Sequence, residues 1–256
     1  MLGAAIGDIV GSRFELVNCK QTDFELFTAE SDFTDDTICT AAVAEWVLKG
    51  CGDDLAHIMQ SWCRRYPHPK GAYGARFGRW IYQYPVPYNS LGNGSAMRVS
   101  AVGWAFDNLA DTLEYAKRSA EITHNHPEGI AGAQATAAAI FWARTGKDKA
   151  FIRAQISTQF AYDLNTTCDE LRPVYCYSEH CAKTVPPALI AFFDSENFEH
   201  AIRLAVSLGG DSDTLTAITG SIAEAFYGDI PDWIQQYALQ IMPAEIADVL
   251  LQCKTP

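Results

Sequence analysis

Apolar residues recur at intervals of three and four positions along most of this sequence, whereas alternating runs of β-branched residues are almost absent. This spacing is typical of amphipathic helices, because it places the apolar side chains on one helix face. We therefore predict an all-α protein. Its helices are expected at about 2–12, 36–49, 53–65, 72–83, 95–106, 111–122, 128–145, 147–160, 184–194, 197–207, 213–227, 232–241 and 243–252.

Glycine and proline mark the breaks between these predicted helices, for example at Pro186-Pro187 and Gly209-Gly210. No Ser/Gly-rich linker and no shift in composition divides the chain, so the sequence favours one compact helical bundle over residues 1–256. Small residues four apart share a helix face on which a neighbouring backbone can approach closely. The first predicted helix has such a face at Gly3, Gly7 and Gly11.

The composition narrows the possible functions. Hydrophobic residues make up 48% of the chain and charged residues 20%, which is typical of a globular protein rather than a disordered one. Lys and Arg number 19 against 31 Asp and Glu, so the formal charge of −12 disfavours nucleic acid as a partner. The same charge would repel a phosphorylated small molecule unless a cation or a nest of backbone N–H groups holds that molecule.

The first residues and the cysteines favour a cytoplasmic protein. The stretch from Met1 to Asp8 lacks the basic region of a signal peptide, and no apolar run approaches the ~18 residues of a membrane span, so we expect no membrane partner. The eight cysteines include no CxxC pair. We expect them to be small buried hydrophobic residues rather than disulfides or zinc ligands.

Two segments far apart in the sequence each place two carboxylates and a threonine at the start of a predicted helix. The first is Thr34-Asp35-Asp36-Thr37, and the second is Asp211-Ser212-Asp213-Thr214, which follows two glycines. Either could be a helix cap, because Asp and Thr side chains accept the free N–H groups of a first turn. A cap needs only one acidic residue, and crowded carboxylates repel one another unless a cation or a raised pKa relieves them. If the segments converge, they supply the hard oxygen ligands that Mg²⁺ or Mn²⁺ takes.

Other residues are candidates for contacts with a ligand. Glu15 follows the first predicted helix, and Asp8 lies within it. The turn Gly92-Asn93-Gly94-Ser95 precedes a predicted helix, and its backbone N–H groups could cradle a pyrophosphate or simply form a loop. Imidazole matches an all-oxygen Mg²⁺ site poorly. Of His124 and His126 we therefore expect one to hydrogen-bond a substrate and the other to start a helix or face solvent.

Taken together, these segments resemble the ADP-ribosylglycohydrolase family, the dinitrogenase-reductase-activating glycohydrolases and ADP-ribosyl-acceptor hydrolases. The resemblance runs in order from the Gly3-to-Glu15 opening to the Asp211-to-Gly228 segment, and the two acidic segments are its most specific part. It implies the all-α fold of that family and a centre with two divalent metal ions, usually Mg²⁺ or Mn²⁺. The implied reaction is hydrolysis of the glycosidic bond between ADP-ribose and an acceptor, such as an arginine or serine side chain or a small ADP-ribosyl compound.

The resemblance also implies roles for single residues. The metal ligands would be Thr34, Asp35, Asp36, Asp211, Asp213 and Thr214, with Asp213 bridging both ions. The substrate contacts would be Gly92, Asn93, Gly94, Ser95 and His124. Glu15 matches a mobile acidic residue of the family. Leu91 stands where several relatives carry a Tyr that stacks on adenine, so Tyr84 or Tyr88 is the candidate replacement.

The implied mechanism assigns catalytic roles to three carboxylates. Cleavage at the anomeric carbon of the distal ribose develops oxocarbenium character, for which paired carboxyl groups and metal ions are suited. A water molecule would attack this carbon while Asp36 or Asp211 takes its proton. Glu15 would act as the acid for the leaving group or would position the substrate.

Two other functions use the same residues. A two-metal phosphoesterase or pyrophosphatase needs the same acidic segments but would release phosphate or AMP. A catalytically silent module would bind ADP-ribose without turnover, but both acidic segments are intact here, which favours catalysis. The expected partner is therefore an ADP-ribosylated protein or a small ADP-ribosyl substrate, and the expected oligomeric state is a monomer.

Overall fold

The computed structural model describes residues 1–253, and the regular secondary structure among them is helical. No β-strand occurs among these residues, where only two isolated bridge pairs are present. The all-α prediction is confirmed. The helices are α1 (Leu2–Gly11), α2 (Asp35–Leu48), α3 (Leu55–Arg65), α4 (Ala75–Trp80), α5 (Gly94–Met97), α6 (Ser100–Ala105), α7 (Leu109–Glu121), α8 (Pro127–Arg144), α9 (Lys149–Phe160), α10 (Cys168–Leu171), α11 (Cys181–Asp194), α12 (Phe198–Leu208), α13 (Ser212–Tyr227), α14 (Asp232–Ile241) and α15 (Ala244–Gln252).

The predicted helices differ from the observed ones at three places. The helix predicted at 95–106 is two short helices, α5 and α6, and the short helix α10 was not predicted. The helix predicted at 72–83 shrinks to α4, because Gly71 and Ala72 adopt left-handed backbone angles of φ +77° and +66°. Residues 71–74 are therefore loop rather than helix.

Pro186 and Pro187 do not mark a break between helices, as their residue type had suggested, but lie inside α11, within the span of the helix predicted at 184–194. A proline has no N–H to donate to the carbonyl four residues earlier. For Pro187 that carbonyl belongs to Lys183, and it accepts a hydrogen bond from the Tyr175 hydroxyl at 3.2 Å instead. This replacement bond satisfies the carbonyl and makes the proline tolerable.

The glycine face of α1 packs against α13, as the sequence predicts. A Cβ atom at Gly3, Gly7 or Gly11 would lie only 2.3, 2.1 or 2.4 Å from a backbone oxygen of α13. These oxygens belong to Gly220, Thr216 and Ser212, so the two helices run antiparallel with their backbones in contact. The end of α1 therefore meets the start of α13.

Helix α13 lies at the centre of the bundle and also packs against α8, α11 and α12. Every residue from Ser212 to Ala225 is buried, although the helix contains several threonines. Their hydroxyls are satisfied locally, since Thr216 and Thr219 donate to the carbonyls of Ser212 and Leu215 four residues earlier. The core thus fixes the start of α13, and with it the second acidic segment.

The cysteines are mostly buried, as the sequence predicts. All eight cysteines are free thiols, of which five are buried, two are partly buried and only Cys176 is exposed. The expectation of buried small residues therefore holds for most of them.

Within residues 1–253, no helix has both the length and the apolar content that a membrane crossing requires.

Candidate functional site

A cavity of about 410 Å³ opens where the loop after α1 meets the first turns of α2 and α13. Its wall also includes the loop before α4, the turn that begins α5, and the segment before α11. All of the acidic candidates except Asp8 line it, namely Glu15, Asp35, Asp36, Asp211 and Asp213. Two segments separated by more than 170 residues in sequence thus meet in one site.

The first acidic segment is held by a buried carboxylate of α1. Asp8 accepts hydrogen bonds from the backbone N–H and hydroxyl of Thr34, at 2.9 and 2.8 Å. It also accepts those of Thr37, at 3.0 and 2.5 Å. Thr34 is the N-cap of α2 and accepts the N–H of Asp36 at 3.2 Å. This network places Asp35 and Asp36 in the first helical turn, facing the cavity.

The second acidic segment follows a turn that requires glycine. Gly209 and Gly210 adopt φ angles of +70° and +77°, and a Cβ atom at Gly210 would lie 2.6 Å from the Tyr175 ring. Asn18 binds both backbone polar groups of Gly210, and it also donates to the carbonyls of Phe14 and Glu15. The loop that carries Glu15 is thereby joined to the loop that carries Asp211.

The two segments are in direct contact at the start of their helices. The Thr214 hydroxyl donates to Oδ2 of Asp36 at 3.3 Å. Glu15, Asp211 and Asp213 each offer a carboxylate oxygen, and these oxygens lie within 4.8 Å of one another. Asp211 is further held by the amide of Asn93, which donates to Oδ2 at 2.7 Å. The convergence expected from the sequence is present.

This crowding disfavours the charged form of the carboxylates. Burial, followed by the charge of Asp213, raises the pKa of Asp8 and of Glu15 to about 7. The same two causes raise the pKa of Asp35, Asp36 and Asp211 well above the ordinary value for aspartate. Within this cluster a positive charge would therefore be strongly stabilising.

The donor set fits a divalent cation. Carboxylate and hydroxyl oxygens are the hard ligands that Mg²⁺ and Mn²⁺ prefer. Oδ1 of Asp36 is buried and has no hydrogen-bond partner among the described residues. An unpaired buried carboxylate oxygen is costly unless a ligand completes it. Thr34 differs from the other proposed ligands, because its hydroxyl is buried against Asp8 and it does not line the cavity.

The glycine-rich turn forms another part of the cavity wall, beside Asp211. Gly92, Asn93 and Gly94 line the cavity, and the turn is fixed by a hydrogen bond from the Asn93 N–H to the Glu179 carbonyl at 2.6 Å. Ser95 does not line the cavity. Its hydroxyl points into the core and donates to the Gly129 carbonyl at 2.7 Å.

The two histidines have different positions, as expected. His124 is buried and lines the cavity next to Gly92 and Gly94. His126 is the N-cap of α8, and its ring accepts the N–H of Glu128 at 3.2 Å. His124 is therefore the member of the pair that a ligand can reach.

A family model described as ADP-ribosylglycohydrolase matches residues 1–254. The chain belongs to the ADP-ribosylglycohydrolase family. This family membership identifies it as a hydrolytic enzyme and confirms the resemblance inferred from the acidic segments.

This glycohydrolase is similar in sequence to named hydrolases and in fold to a solved structure. It is 25% identical to ADP-ribosylarginine hydrolase Tri1 of Pseudomonas putida, an alignment covering 93% of this chain and 73% of the relative. It is 24% identical to ADP-ribosylhydrolase ARH3 of Homo sapiens, covering 92% and 87%. A solved structure named ADP-ribosylglycohydrolase-related protein complex superposes with a TM-score of 0.76 at 25% identity, covering 98% of this chain and 93% of that one.

The structure adds cavity residues that the sequence prediction missed. Tyr73 and Arg76 come from the loop before α4 and from α4 itself, and Tyr177 and Glu179 come from the segment before α11. Gly71 and Gly74 flank Tyr73 and favour a loop, but the helix predicted at 72–83 did not take this signal into account. Nothing in the sequence of the second piece indicates that it packs beside the glycine-rich turn.

Tyr84 and Tyr88, the two candidates for stacking on adenine, differ in whether they line the cavity. Tyr88 lines the cavity of the glycohydrolase, with the Arg76 guanidinium 4.8 Å from its ring centre. Tyr84 is 82% exposed and does not line the cavity. Of the two candidate replacements for a stacking tyrosine, only Tyr88 is in position.

The side chains that line the cavity carry a net negative charge. The lining groups carry a formal charge of −4, because six are acidic and two are arginines: Glu15, Asp35, Asp36, Glu179, Asp211 and Asp213 against Arg76 and Arg98. Two divalent cations would neutralise this charge. An anionic substrate is compatible with the cavity only when positive charge has been added.

Proposed function

We propose that this glycohydrolase uses divalent cations to hydrolyse the glycosidic bond between ADP-ribose and its acceptor. The observation that carries the proposal is the contact of the two acidic segments, where the Thr214 hydroxyl meets Asp36 at 3.3 Å. Family membership and the names of the relatives support the choice of ADP-ribose. The substrate would be an ADP-ribosylated protein or a small ADP-ribosyl compound.

The cations would be two Mg²⁺ or Mn²⁺ ions held by Thr34, Asp35, Asp36, Asp211, Asp213 and Thr214. When bound, such ions would supply the positive charge that lowers the pKa of a water molecule and orients ribose hydroxyls. The unpaired Oδ1 of Asp36 and the raised pKa values of Asp35, Asp36 and Asp211 support this ligand set. Thr34 would contribute through its backbone or after its hydroxyl leaves Asp8, since that hydroxyl is otherwise engaged.

The glycine-rich turn would bind the pyrophosphate. Gly92, Asn93 and Gly94 lie along the cavity wall. The N–H groups of Gly92 and Asn93 already donate to the Ser90 hydroxyl and the Glu179 carbonyl, so the N–H of Gly94 would make the backbone contact to the ligand. His124 lies against the same turn and would donate to the ligand. Ser95 would act from outside the cavity, by holding the turn to α8 through its bond to Gly129.

The proton transfers would be made by three carboxyl groups. Asp36 or Asp211 would accept the proton of the attacking water at the anomeric carbon of the distal ribose. Glu15 is half-buried at the rim, and burial and Asp213 raise its pKa to about 7. A carboxyl group with such a pKa can donate a proton to a leaving group near neutral pH.

The identity of the acceptor rests on the relatives. One relative is named an ADP-ribosylarginine hydrolase, which favours arginine, and another simply an ADP-ribosylhydrolase, which names no acceptor and leaves serine as the other candidate. Glu179 at the cavity wall would attract a cationic acceptor such as a guanidinium group.

The experiment that tests the proposal identifies the products. Peptides ADP-ribosylated on arginine or on serine, and O-acetyl-ADP-ribose, are incubated with Mg²⁺, Mn²⁺ or EDTA and separated by chromatography with mass detection. We expect intact ADP-ribose from at least one substrate, only when metal is present. Release of AMP or phosphate would support the phosphoesterase alternative, and binding of ADP-ribose without any turnover would support the silent binding module.

A variant pair makes this assay specific to the proposed site. Asp36→Asn removes a proposed ligand, whereas Asp232→Asn changes an exposed aspartate in the first turn of α14. Activity should be lost in the first and kept in the second. If Asp36→Asn retained wild-type turnover, the ligand assignment would be wrong.

We also propose a domain organisation, an oligomeric state and a compartment for this protein. We expect a single domain over residues 1–256, acting as a monomer in the cytoplasm and without nucleic acid as a partner. Sedimentation of the full chain at several concentrations, and fractionation of cells that express it, test the oligomeric state and the compartment.

A further inference from the structure

Arg98 is an unusual residue in the wall of the cavity. Its side chain is 1% exposed, and no carboxylate lies within ion-pair distance of it among residues 1–253. Its guanidinium donates to the Ser119 carbonyl at 3.0 Å and to the Thr123 hydroxyl at 2.9 Å. A buried arginine held only by neutral acceptors fixes the direction of the hydrogen bonds around it, because arginine can only donate.

The Thr123 hydroxyl links this arginine to the imidazole of His124. Its oxygen accepts from Arg98 and lies 2.7 Å from Nδ1 of His124. Thr123 is fully buried and makes no other side-chain hydrogen bond among the described residues. If Nδ1 carried the proton, the hydroxyl hydrogen of Thr123 would be buried without an acceptor, which costs about 1–3 kcal/mol. The hydroxyl therefore donates to Nδ1, and the imidazole proton is on Nε2.

The Nε2 atom faces the glycine-rich turn. A Cβ atom added at Gly94 would lie 3.1 Å from Nε2, and one added at Gly92 would lie 3.5 Å from it. Within residues 1–253, Nε2 has no hydrogen-bond partner, and His124 lines the cavity. The N–H at this position is thus free for a ligand that enters beside the turn.

We propose that Arg98 and Thr123 are positioning residues that fix His124 in its Nε2–H tautomer, so that it offers a neutral hydrogen-bond donor to an acceptor oxygen of the ligand. The inference about the ligand rests on the proposed function, under which the acceptor is a pyrophosphate or ribose oxygen. The inference about the tautomer stands on the three hydrogen bonds alone. In this tautomer His124 cannot act as a general base through Nε2, because that nitrogen already carries a proton.

The surroundings also keep His124 uncharged. Burial, and then the neighbouring Arg98 guanidinium, lower the pKa of His124 well below its ordinary value. Tyr88 is an aromatic neighbour, with its ring centre 6.3 Å from that of His124, and it offers no negative charge. A neutral donor in a fixed orientation can bind an oxygen atom without rotating or changing protonation.

The test is nitrogen NMR of the imidazole in the full-length protein without ligand. The His124 signals are assigned among those of the six histidines by comparison with His124→Gln. We expect one protonated nitrogen at Nε2 and one unprotonated nitrogen at Nδ1. A wild-type spectrum with the proton on Nδ1 would overturn the proposal, whatever the substrate of the enzyme proves to be.

Two variants of Thr123 extend the test. Thr123→Ser keeps the hydroxyl and should keep the tautomer, whereas Thr123→Val keeps the shape, removes the hydroxyl and should give a mixture of both tautomers. With ADP-ribose as the probe, calorimetry should show roughly tenfold weaker binding for Thr123→Val and near wild-type binding for Thr123→Ser. If both variants keep the Nε2–H tautomer, Thr123 does not set it.

These outcomes distinguish failure of the inference from failure of the proposed function. An Nε2–H tautomer together with no affinity for ADP-ribose would leave the hydrogen-bond chain intact and would refute the ligand. An Nδ1–H tautomer together with ADP-ribose turnover would leave the proposed function intact and would refute the chain. Thermal unfolding of each variant shows whether it is folded, and the wild-type spectrum decides the main point even if Thr123→Val is not.

Discussion

The carboxylate of Asp8 accepts both the backbone N–H and the hydroxyl of Thr34, at 2.9 and 2.8 Å, across 26 residues of sequence. Thr34 is the residue that caps α2 and precedes the two aspartates of the first acidic segment. One buried carboxylate in α1 therefore sets the position of the proposed metal ligands in α2. It does so without lining the cavity itself.

Replacing Asp8 by asparagine should weaken cation binding. The amide presents an NH₂ group where one carboxylate oxygen accepts, so at least one of the four bonds to Thr34 and Thr37 is lost. Loss of such an outer contact reduces metal affinity by about 10–100-fold. Calorimetric titration with Mn²⁺ measures the effect. Asp32→Asn, a change at an exposed residue in the loop just before the first acidic segment, should bind as wild type does. Equal affinity of all three proteins would refute the role of Asp8.

Replacing Gly7 by alanine should destabilise the fold. Its Cβ atom would lie 2.1 Å from the Thr216 carbonyl oxygen, so α1 and α13 must move apart. Overpacking of this kind costs about 1–3 kcal/mol or more of the free energy of unfolding. Gly78→Ala is the matched control, because Gly78 lies in α4 with its nearest neighbour atom at 3.7 Å. It should be neutral or stabilise by about 0.5–1 kcal/mol. Urea unfolding of both variants tests the packing, and equal midpoints would contradict it.

The stability of the metal-free protein should fall as the pH rises. Asp8 and Glu15 have pKa values of about 7 in the fold against ordinary values of 3.8 and 4.5. Between these values the folded state binds more protons than the unfolded state, so their stabilising contribution is lost as the pH rises toward and through 7. In EDTA the melting temperature should be lower at pH 8 than at pH 5.5, and Mg²⁺ should raise it more at pH 8.

A charge-removing variant is the control for that pH effect. Asp213 is the largest charged contributor to the raised pKa of both Asp8 and Glu15. Asp213→Asn should therefore reduce the difference in melting temperature between pH 5.5 and pH 8 in EDTA. A difference that is unchanged in this variant would show that the carboxylate cluster is not its source.

Replacing Glu15 by glutamine should reduce turnover without unfolding the protein. Glu15 is half-buried at the rim of the cavity, and loss of a general acid typically costs about 10²–10⁴-fold in rate. The effect should appear in kcat for release of ADP-ribose, with the melting temperature near that of wild type. Glu25→Gln changes an exposed glutamate in the following loop and should keep full activity. Wild-type kcat in Glu15→Gln would exclude Glu15 as the acid.

The sequence could predict what depends on spacing and residue type. Glycines four apart at Gly3, Gly7 and Gly11 indicated a close helix contact, and the structure places it against α13. The two acidic segments indicated a shared site, because capping alone does not require so many carboxylates. Both inferences rest on local chemistry that any fold must accommodate.

Other features depend on tertiary contacts that spacing does not encode. Ser95 is part of the glycine-rich motif, yet its hydroxyl is taken up by the Gly129 carbonyl of another helix. Pro187 is tolerated inside α11 because Tyr175 satisfies the carbonyl of Lys183. In each case the partner lies far away or on a different element, so the outcome became visible only in three dimensions.

The most direct test of the account is the metal dependence of ADP-ribose release by wild type and Asp213→Asn. Asp213 lies with Glu15 and Asp211 at the point where the acidic groups meet. We expect release of ADP-ribose by the wild type with Mg²⁺ or Mn²⁺, none in EDTA, and a rate at least about 100-fold lower for Asp213→Asn. Full release of ADP-ribose by the wild type in EDTA, or by Asp213→Asn with metal, would contradict it.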